Sequence, residues 1–203
     1  MSLFLDIGQG AGLAGATGVR PFLPPLLAGA LAREDVAIDF DGTDWSFLES
    51  PAFLAVVLVL AVMSYAWDRS RSGVEAASDA PRRDPVVLAG GVLGVVLGAL
   101  LFAGSLAQSS EGSSWIGLIA GPICAVLGWL AVGGLLERAR GRLAKNGGAG
   151  MLTAFADGAA LLLAAIAILL PPLSFLALGG FVLLLVAGRR REDAKYAGLR
   201  ILR

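Results

Sequence analysis

Histidine is absent from this chain of 203 residues, and cysteine occurs only once. Without histidine, the chain lacks the commonest general base and the commonest transition-metal ligand of proteins. A single cysteine, Cys124, excludes an intrachain disulfide and a thiolate metal cluster. Because Cys124 lies inside an apolar run, we expect a packing role for it, with a reactive thiol as the alternative. The sequence therefore predicts no metal and no cofactor.

Catalytic motifs are missing as well. The sequence has no G-x-S-x-G elbow, no phosphate-binding loop and no paired carboxylates on one helix face. Its cations form no basic stripe of the kind that binds nucleic acid, and the net charge is zero. We predict that the protein is not an enzyme and binds no nucleic acid.

Long apolar runs dominate what is present. The hydrophobic fraction is 57%, the mean hydropathy is +0.78, and the chain has 28 glycines. Such a composition is typical of a helical bundle in lipid. Six runs have about the 17–25 residues that cross a bilayer core. They cover 9–32, 51–67, 85–107, 115–136, 152–170 and 172–188. The predicted fold class is an all-α integral membrane protein with six transmembrane helices in a single domain, 1–203, surrounded by the lipid bilayer.

The cations lie on alternate connections. Fourteen of the sixteen fall in 68–84, 137–150 and the tail after 188, whereas the loop 33–50 carries six acids. The positive-inside rule places the three basic segments in the cytoplasm, and an even number of spans then places the N-terminus there too.

Prolines interrupt the first span. Pro21, Pro24 and Pro25 cannot donate backbone hydrogen bonds, so we expect a break between Arg20 and Pro25 and a half-helix over 21–32. Pro122 predicts a similar disruption in the fourth span. Since each half of the chain then holds three spans, a 3+3 inverted repeat is possible.

Glycines recur at four-residue spacing in two spans. Gly90, Gly94 and Gly98 share one helix face, as do Gly117 and Gly121, and such faces permit close helix packing. We expect contacts within the chain, with a partner or with further copies in a homo-oligomer.

Arg20 and Asp157 are the candidate site residues. Arg20 is expected near the membrane midplane, where an unpaired charge costs about 3 kcal/mol on insertion scales. Together with Gly18, Pro21 and the positive end of the half-helix, it could bind an anion. Asp157 is the obvious counter-ion and could also exchange a proton. There are three alternatives. The ion pair could be purely structural, Arg20 could lie at a shallower depth, or Asp157 could be an acid at the start of a helix that the helix dipole stabilises at the interface.

Other acids are expected to be solvated. Asp39, Asp41 and Asp44 could hold a hard cation, but they lack the rest of a calcium loop. Asp6 and Asp68 are predicted to lie in solvent at the cytoplasmic ends of their spans.

Several segments together resemble a family of small bacterial membrane proteins classed as a domain of unknown function. They are GLAGATGVRPFLPPLLAGALA, the following WSFLESPAFL, a second span that closes in WD, and a late acid before a proline-broken apolar hairpin. The resemblance implies a polytopic helical fold in the bacterial inner membrane. The family often carries a charged pair around the late acid, where this chain has Ala156 and Gly158.

Two functions follow from these features. The first is a small transporter or channel for a small anion or an anionic head group. The second is a structural or assembly protein whose glycine-rich faces pack against a membrane partner.

Overall fold

The computed structural model describes residues 3–71, 85–108, 114–143 and 149–199, and these residues form helices and loops without a strand. Within these ranges, seven α-helices and one short 3-10 helix, Ser46–Glu49, follow one another along the chain. The α-helices are α1 Leu3–Val19, α2 Leu23–Arg33, α3 Pro51–Arg71, α4 Pro85–Ala107, α5 Ser114–Leu143, α6 Ala149–Leu169 and α7 Pro171–Leu199.

Four of these helices are long and apolar enough to cross a membrane. The qualifying segments have mean hydropathies of 2.0 to 2.2 and are Leu88–Ala107, Ser114–Gly133, Met151–Leu169 and Pro171–Arg189. A shorter apolar helical segment, Pro51–Trp67, lies in α3. The protein is therefore an α-helical membrane protein, as its composition predicted.

Proline and serine define where two of the helices begin. The Ser50 hydroxyl accepts a hydrogen bond from the Phe53 amide at 3.2 Å. Ser50 thus caps α3 just before Pro51. Pro171 begins α7 directly after Leu170, so the long apolar stretch folds back at this proline pair as predicted. Helices α4 and α6 run in the direction opposite to α5 and α7. The two ends of the bundle can therefore be told apart by the loops and helix ends that they contain. The acidic end contains the loop 34–50 and Leu170, and the basic end contains Arg71 and the start of α6.

The first span is broken where the sequence predicts, but the chain reverses there. Helix α1 ends at Val19, and α2 begins at Leu23. The start of α1 lies at the acidic end, because the Gln9 side-chain amide donates to the carbonyl of Ala37 at 3.3 Å. Gly8 also packs against the backbone of Pro171. Helices α1 and α2 therefore form a hairpin whose two outer ends lie at the acidic end of the bundle.

This arrangement differs from the predicted crossing of the membrane by 9–32. The start of α1 and the described end of α7 lie at opposite ends of the bundle, whereas the sequence placed both termini on one side. The physical reason is that residues 1–8 contain no Lys or Arg. No charge therefore fixed the side of the N-terminus, which followed only from the even number of predicted spans. That number is not even if the prolines reverse the chain instead of bending one long helix.

Helix α1 is the centre of the bundle. It contacts α4, α5, α6 and α7 as well as α2, and every residue from Gly8 to Gly18 is buried. Its glycines allow this, since a Cβ atom on Gly10 would lie 2.8 Å from the Phe102 ring. The surrounding helices can therefore approach the α1 backbone closely.

The disruption predicted at Pro122 is not present. Helix α5 continues through this proline from Ser114 to Leu143. A proline removes one backbone hydrogen bond, and packing can hold the helix together despite that loss. Here Gly117 and Gly121 lie directly against the backbone of α4.

Candidate functional site

Arg20 and Asp157 form an ion pair, as the sequence predicted. The distance from Arg20 Nε to Asp157 Oδ1 is 2.6 Å, and the two side chains are 18% and 21% exposed. Arg20 Nη2 also donates to the Thr153 carbonyl at 3.4 Å. The arginine of the hairpin is therefore tied to two successive turns of α6.

The pair lies well inside the apolar thickness of the bundle. Asp157 is eight residues from the start of α6 at Ala149 and twelve residues from its end at Leu169. At the helical rise, these separations correspond to about 12 Å and about 18 Å. Gly8 packs at the level of Pro171, and Arg20 follows it by twelve residues. Counting along α1 therefore gives Arg20 the same depth of about 18 Å from the acidic end.

Gly18 and Pro21 position the tip of the hairpin through contacts with α5 and α4. A Cβ atom on Gly18 would collide with the Ala125 carbonyl oxygen of α5 and lie 2.9 Å from the Trp129 amide nitrogen. Pro21 lies on the other side, against Gly94 of α4. These contacts fix the backbone on both sides of Arg20.

Four of the five predicted packing glycines make close contacts within the chain. Gly98 faces Thr17 of α1 and Ala125 of α5. The other three are Gly94 against Thr17 and Pro21, Gly117 against Ala103, and Gly121 against Ala99. Gly90 differs, because a Cβ atom there would have nothing within 4 Å among the described residues. The Gly90 side of α4 is open since α1 turns back before reaching it.

The start of α2 offers few donors to an anion. The predicted half-helix begins at Leu23, after an N-cap residue, Phe22, that makes no side-chain capping bond. Pro24 and Pro25 occupy its first turn and carry no N–H group. An anion near the tip would therefore be held by the Arg20 guanidinium more than by backbone amides, which corrects the expected contribution of the half-helix.

A line of buried polar residues on α1 was missed by the sequence analysis. Asp6, Gln9 and Thr17 are 0%, 1% and 0% exposed. By the periodicity of the α-helix they lie on the same face as Arg20, with apolar Leu13 between them. The spacing of these polar residues along one face of an otherwise apolar helix could have indicated a buried polar face.

Asp6 contradicts the prediction that it is solvated. Its side chain is fully buried at the acidic end, not exposed at the cytoplasmic end. The reason is that α1 runs in the direction opposite to the predicted one, so its first turns lie beneath the loop 34–50. The Asp68 side chain lies outside the described part of the structure.

The acidic loop brings together a different trio from the expected one. Ligand atoms of Asp35, Asp39 and Asp41 lie within 4.8 Å of one another, and all three residues are exposed. Asp44 is not in this group. Burial, followed by a hydrogen bond with Asp41, raises the pKa of Glu49 above its usual value of 4.5. An open cavity of about 340 Å³ beside these acids is also lined by Arg33 and lies at the acidic end, away from Asp157.

Comparison of the chain with protein-family models, curated proteins and solved structures finds no match. The resemblance to a family of small bacterial membrane proteins therefore stays a prediction, and the function has to be inferred from the geometry.

Proposed function

We propose that the protein transports a small anion, or accepts an anionic head group, at the tip of the α1–α2 hairpin. The observation that supports this function best is the Arg20–Asp157 ion pair. It combines mid-bundle depth with partial exposure, at 18% and 21%. An ionisable residue inside a membrane bundle most often marks a substrate or ion path.

The broken helix adds support. Irregular backbone at membrane depth is tolerated where protein covers it or where it lines a polar cavity, and carriers place their binding sites at such breaks. Beside the break at 20–22, Gly94 of α4 packs against Pro21 and Ala125 of α5 packs against Gly18, while Arg20 and Asp157 remain partly accessible. Arg20 thus supplies a cation at the break, and the planar fork of its guanidinium suits carboxylate-like or phosphate-like anions.

The topology proposed with this function follows the hairpin. We propose that α3 to α7 cross the bacterial inner membrane, with the basic end in the cytoplasm, and that α1 and α2 enter from the opposite side. Residues 3–8 then share a side with the acidic loop, and the helix ends that lead into the basic connections face the cytoplasm. This replaces the prediction of six spans. The first half then no longer holds three spans, which removes the argument for a 3+3 inverted repeat, and α5 is unbroken where α1–α2 is broken.

The alternative is a structural or assembly protein. Its supporting observation is helix α3, which contacts α2 and the 3-10 helix. Its side chains that pack in the bundle, such as Phe53, Val57 and Leu60, lie in its first half. The far half carries exposed apolar side chains such as Val62 and Met63, at 60% and 62%. A second copy or another membrane protein could pack there, so a homo-oligomer remains part of the proposal. The close glycines face inward, so they do not supply this surface.

Anion flux from vesicles of bacterial lipid tests the proposal. Purified protein is reconstituted, and the efflux of chloride, nitrate and formate is followed with wild type and two matched variants. Arg20→Lys keeps the charge but loses the guanidinium fork, so we expect flux to fall at least tenfold while the fold is retained. Arg33→Lys makes the same change at the exposed end of α2 and should leave flux unchanged. Absence of flux above protein-free vesicles for all three anions would refute transport of this kind.

A further inference from the structure

The Arg20–Asp157 pair is electrically neutral as it stands. Its short contact joins a guanidinium nitrogen to one carboxylate oxygen at 2.6 Å. Both groups are about four-fifths shielded from solvent, and Arg20 is also held by the Thr153 carbonyl. In such surroundings a single uncompensated charge is unfavourable, whereas a balanced pair is tolerated.

Charge balance then limits what the pair can bind. An anion arriving alone at Arg20 would leave the site with a net negative charge, because Asp157 remains ionised. A proton arriving alone at Asp157 would leave Arg20 with an uncompensated positive charge. When both arrive together, Asp157 becomes neutral and the anion takes over the ionic contact with Arg20, so the site stays neutral.

We propose, on the basis of the transport function proposed above, that this site binds one anion together with one proton. The proton is taken up by the Asp157 carboxylate, whose ionic bond to Arg20 Nε is replaced by a bond from the guanidinium to the anion. Release of both re-forms the ion pair. The protein is then a proton–anion symporter, and in its empty state the Asp157 carboxylate takes the place of the anion at Arg20.

The other groups around Asp157 are consistent with this role. Among the described side chains of α6, α1 and α2, the charged ones besides the pair are Asp6 and Arg33, both toward the acidic end. Helix α7 reaches its first cation at Arg189, near the basic end. The Cys124 thiol of α5 is partly buried and packs in the cluster around Phe102. Arg20 is therefore the charged described group that faces Asp157 at this depth.

The wild-type protein alone provides the first test. Chloride is added to the purified full chain in detergent at low buffer concentration, and proton uptake is measured together with chloride binding. At a pH at which Asp157 is ionised in the anion-free protein, one proton should be taken up for each chloride bound. The apparent chloride affinity should fall about tenfold for each pH unit above the pKa of Asp157, because linkage is reciprocal. Nitrate is measured in the same way as a second probe.

A neutral variant provides the second test. Asp157→Asn resembles the protonated acid in shape and charge, so chloride binding should become independent of pH. Chloride flux into vesicles should then carry no protons, as read by a trapped pH-sensitive dye. Asp44→Asn, which removes an exposed loop acid, is the matched control and should keep the proton coupling of wild type.

The outcomes separate this inference from the proposed function. Chloride or nitrate flux in wild type without proton movement, or binding with no pH dependence, overturns the coupling but leaves anion transport standing. Absence of both binding and flux for every anion overturns the transport proposal and the coupling with it. If Asp157→Asn fails to fold, the proton uptake of the wild type still decides the question.

Discussion

A methyl group added at Gly121 should separate two helices of the central bundle. A Cβ atom on Gly121 would lie 2.6 Å from the Ala99 Cα and 2.8 Å from the Gly98 carbonyl oxygen. Both neighbours are backbone atoms of α4, so neither can rotate away. Restoring an ordinary contact requires α4 and α5 to move apart by roughly 0.5–1 Å, and a gap of that size forfeits a quarter to a half of each dispersion contact.

The cost can be estimated from two opposing effects. Overpacking of this kind costs about 1–3 kcal/mol. Replacing a helical glycine by alanine returns up to about 1 kcal/mol of helix propensity. We therefore expect Gly121→Ala to destabilise the protein by about 1–2 kcal/mol, which is roughly a fivefold to thirtyfold change in the unfolding equilibrium.

Gly133 provides the matched control on the same helix. A Cβ atom there would meet nothing within 4 Å among the described residues. Gly133→Ala should therefore be neutral or slightly stabilising. Reversible unfolding in mixed detergent micelles measures both variants against wild type. If Gly121→Ala is as stable as Gly133→Ala, the close contact between α4 and α5 is wrong.

Three further predictions concern the topology, the ion pair and the acidic loop. In a background without the native cysteine, Leu3→Cys and Arg189→Cys should react with an impermeant thiol reagent from opposite sides of the membrane, and labelling from one side would contradict the hairpin. Arg20→Gln and Asp157→Asn should each lower the free energy of unfolding by about 3–5 kcal/mol, because each leaves a buried charge unpaired. The double variant should recover part of this loss, and purely additive changes in the free energy of unfolding would contradict the pairing. Because the pKa of Glu49 is raised above 4.5 in the folded state, its stabilising contribution is present below pH 4.5 and is lost as the pH rises through the raised pKa. Glu49→Gln should therefore match wild type at low pH and have the higher melting temperature above that range, and parallel melting curves at all pH values would contradict this.

The helices could be predicted from the sequence because hydropathy and proline act locally. The apolar runs 85–107 and 152–170 match α4 and α6 to within three residues at each end. The ion pair was also predictable, since Asp157 is the one acid well inside an apolar run and Arg20 needed a partner. The inference of the ion pair depended on the cost of an uncompensated charge in lipid, which requires no knowledge of the packing.

The direction of the first helix could not be predicted in this way. Local rules identify a break at Pro21 but do not decide between a bend and a reversal, because that choice depends on which helices pack on either side. The error then carried over to Asp6, whose burial follows from the direction of α1. Gln9 was missed for the same reason, since its partner Ala37 is distant in sequence.

The position of α1 at the centre of the bundle has a consequence for biosynthesis. This helix leaves the ribosome before the helices that enclose it, since α4 begins at Pro85 and α7 ends at Leu199. Until those helices have been synthesised, their side chains cannot pack against the glycines of α1, where Gly10 meets Phe102 and Gly12 meets Ser174. We therefore expect α1 to reach its final packing only after α7 has been synthesised, as one of the last steps of folding.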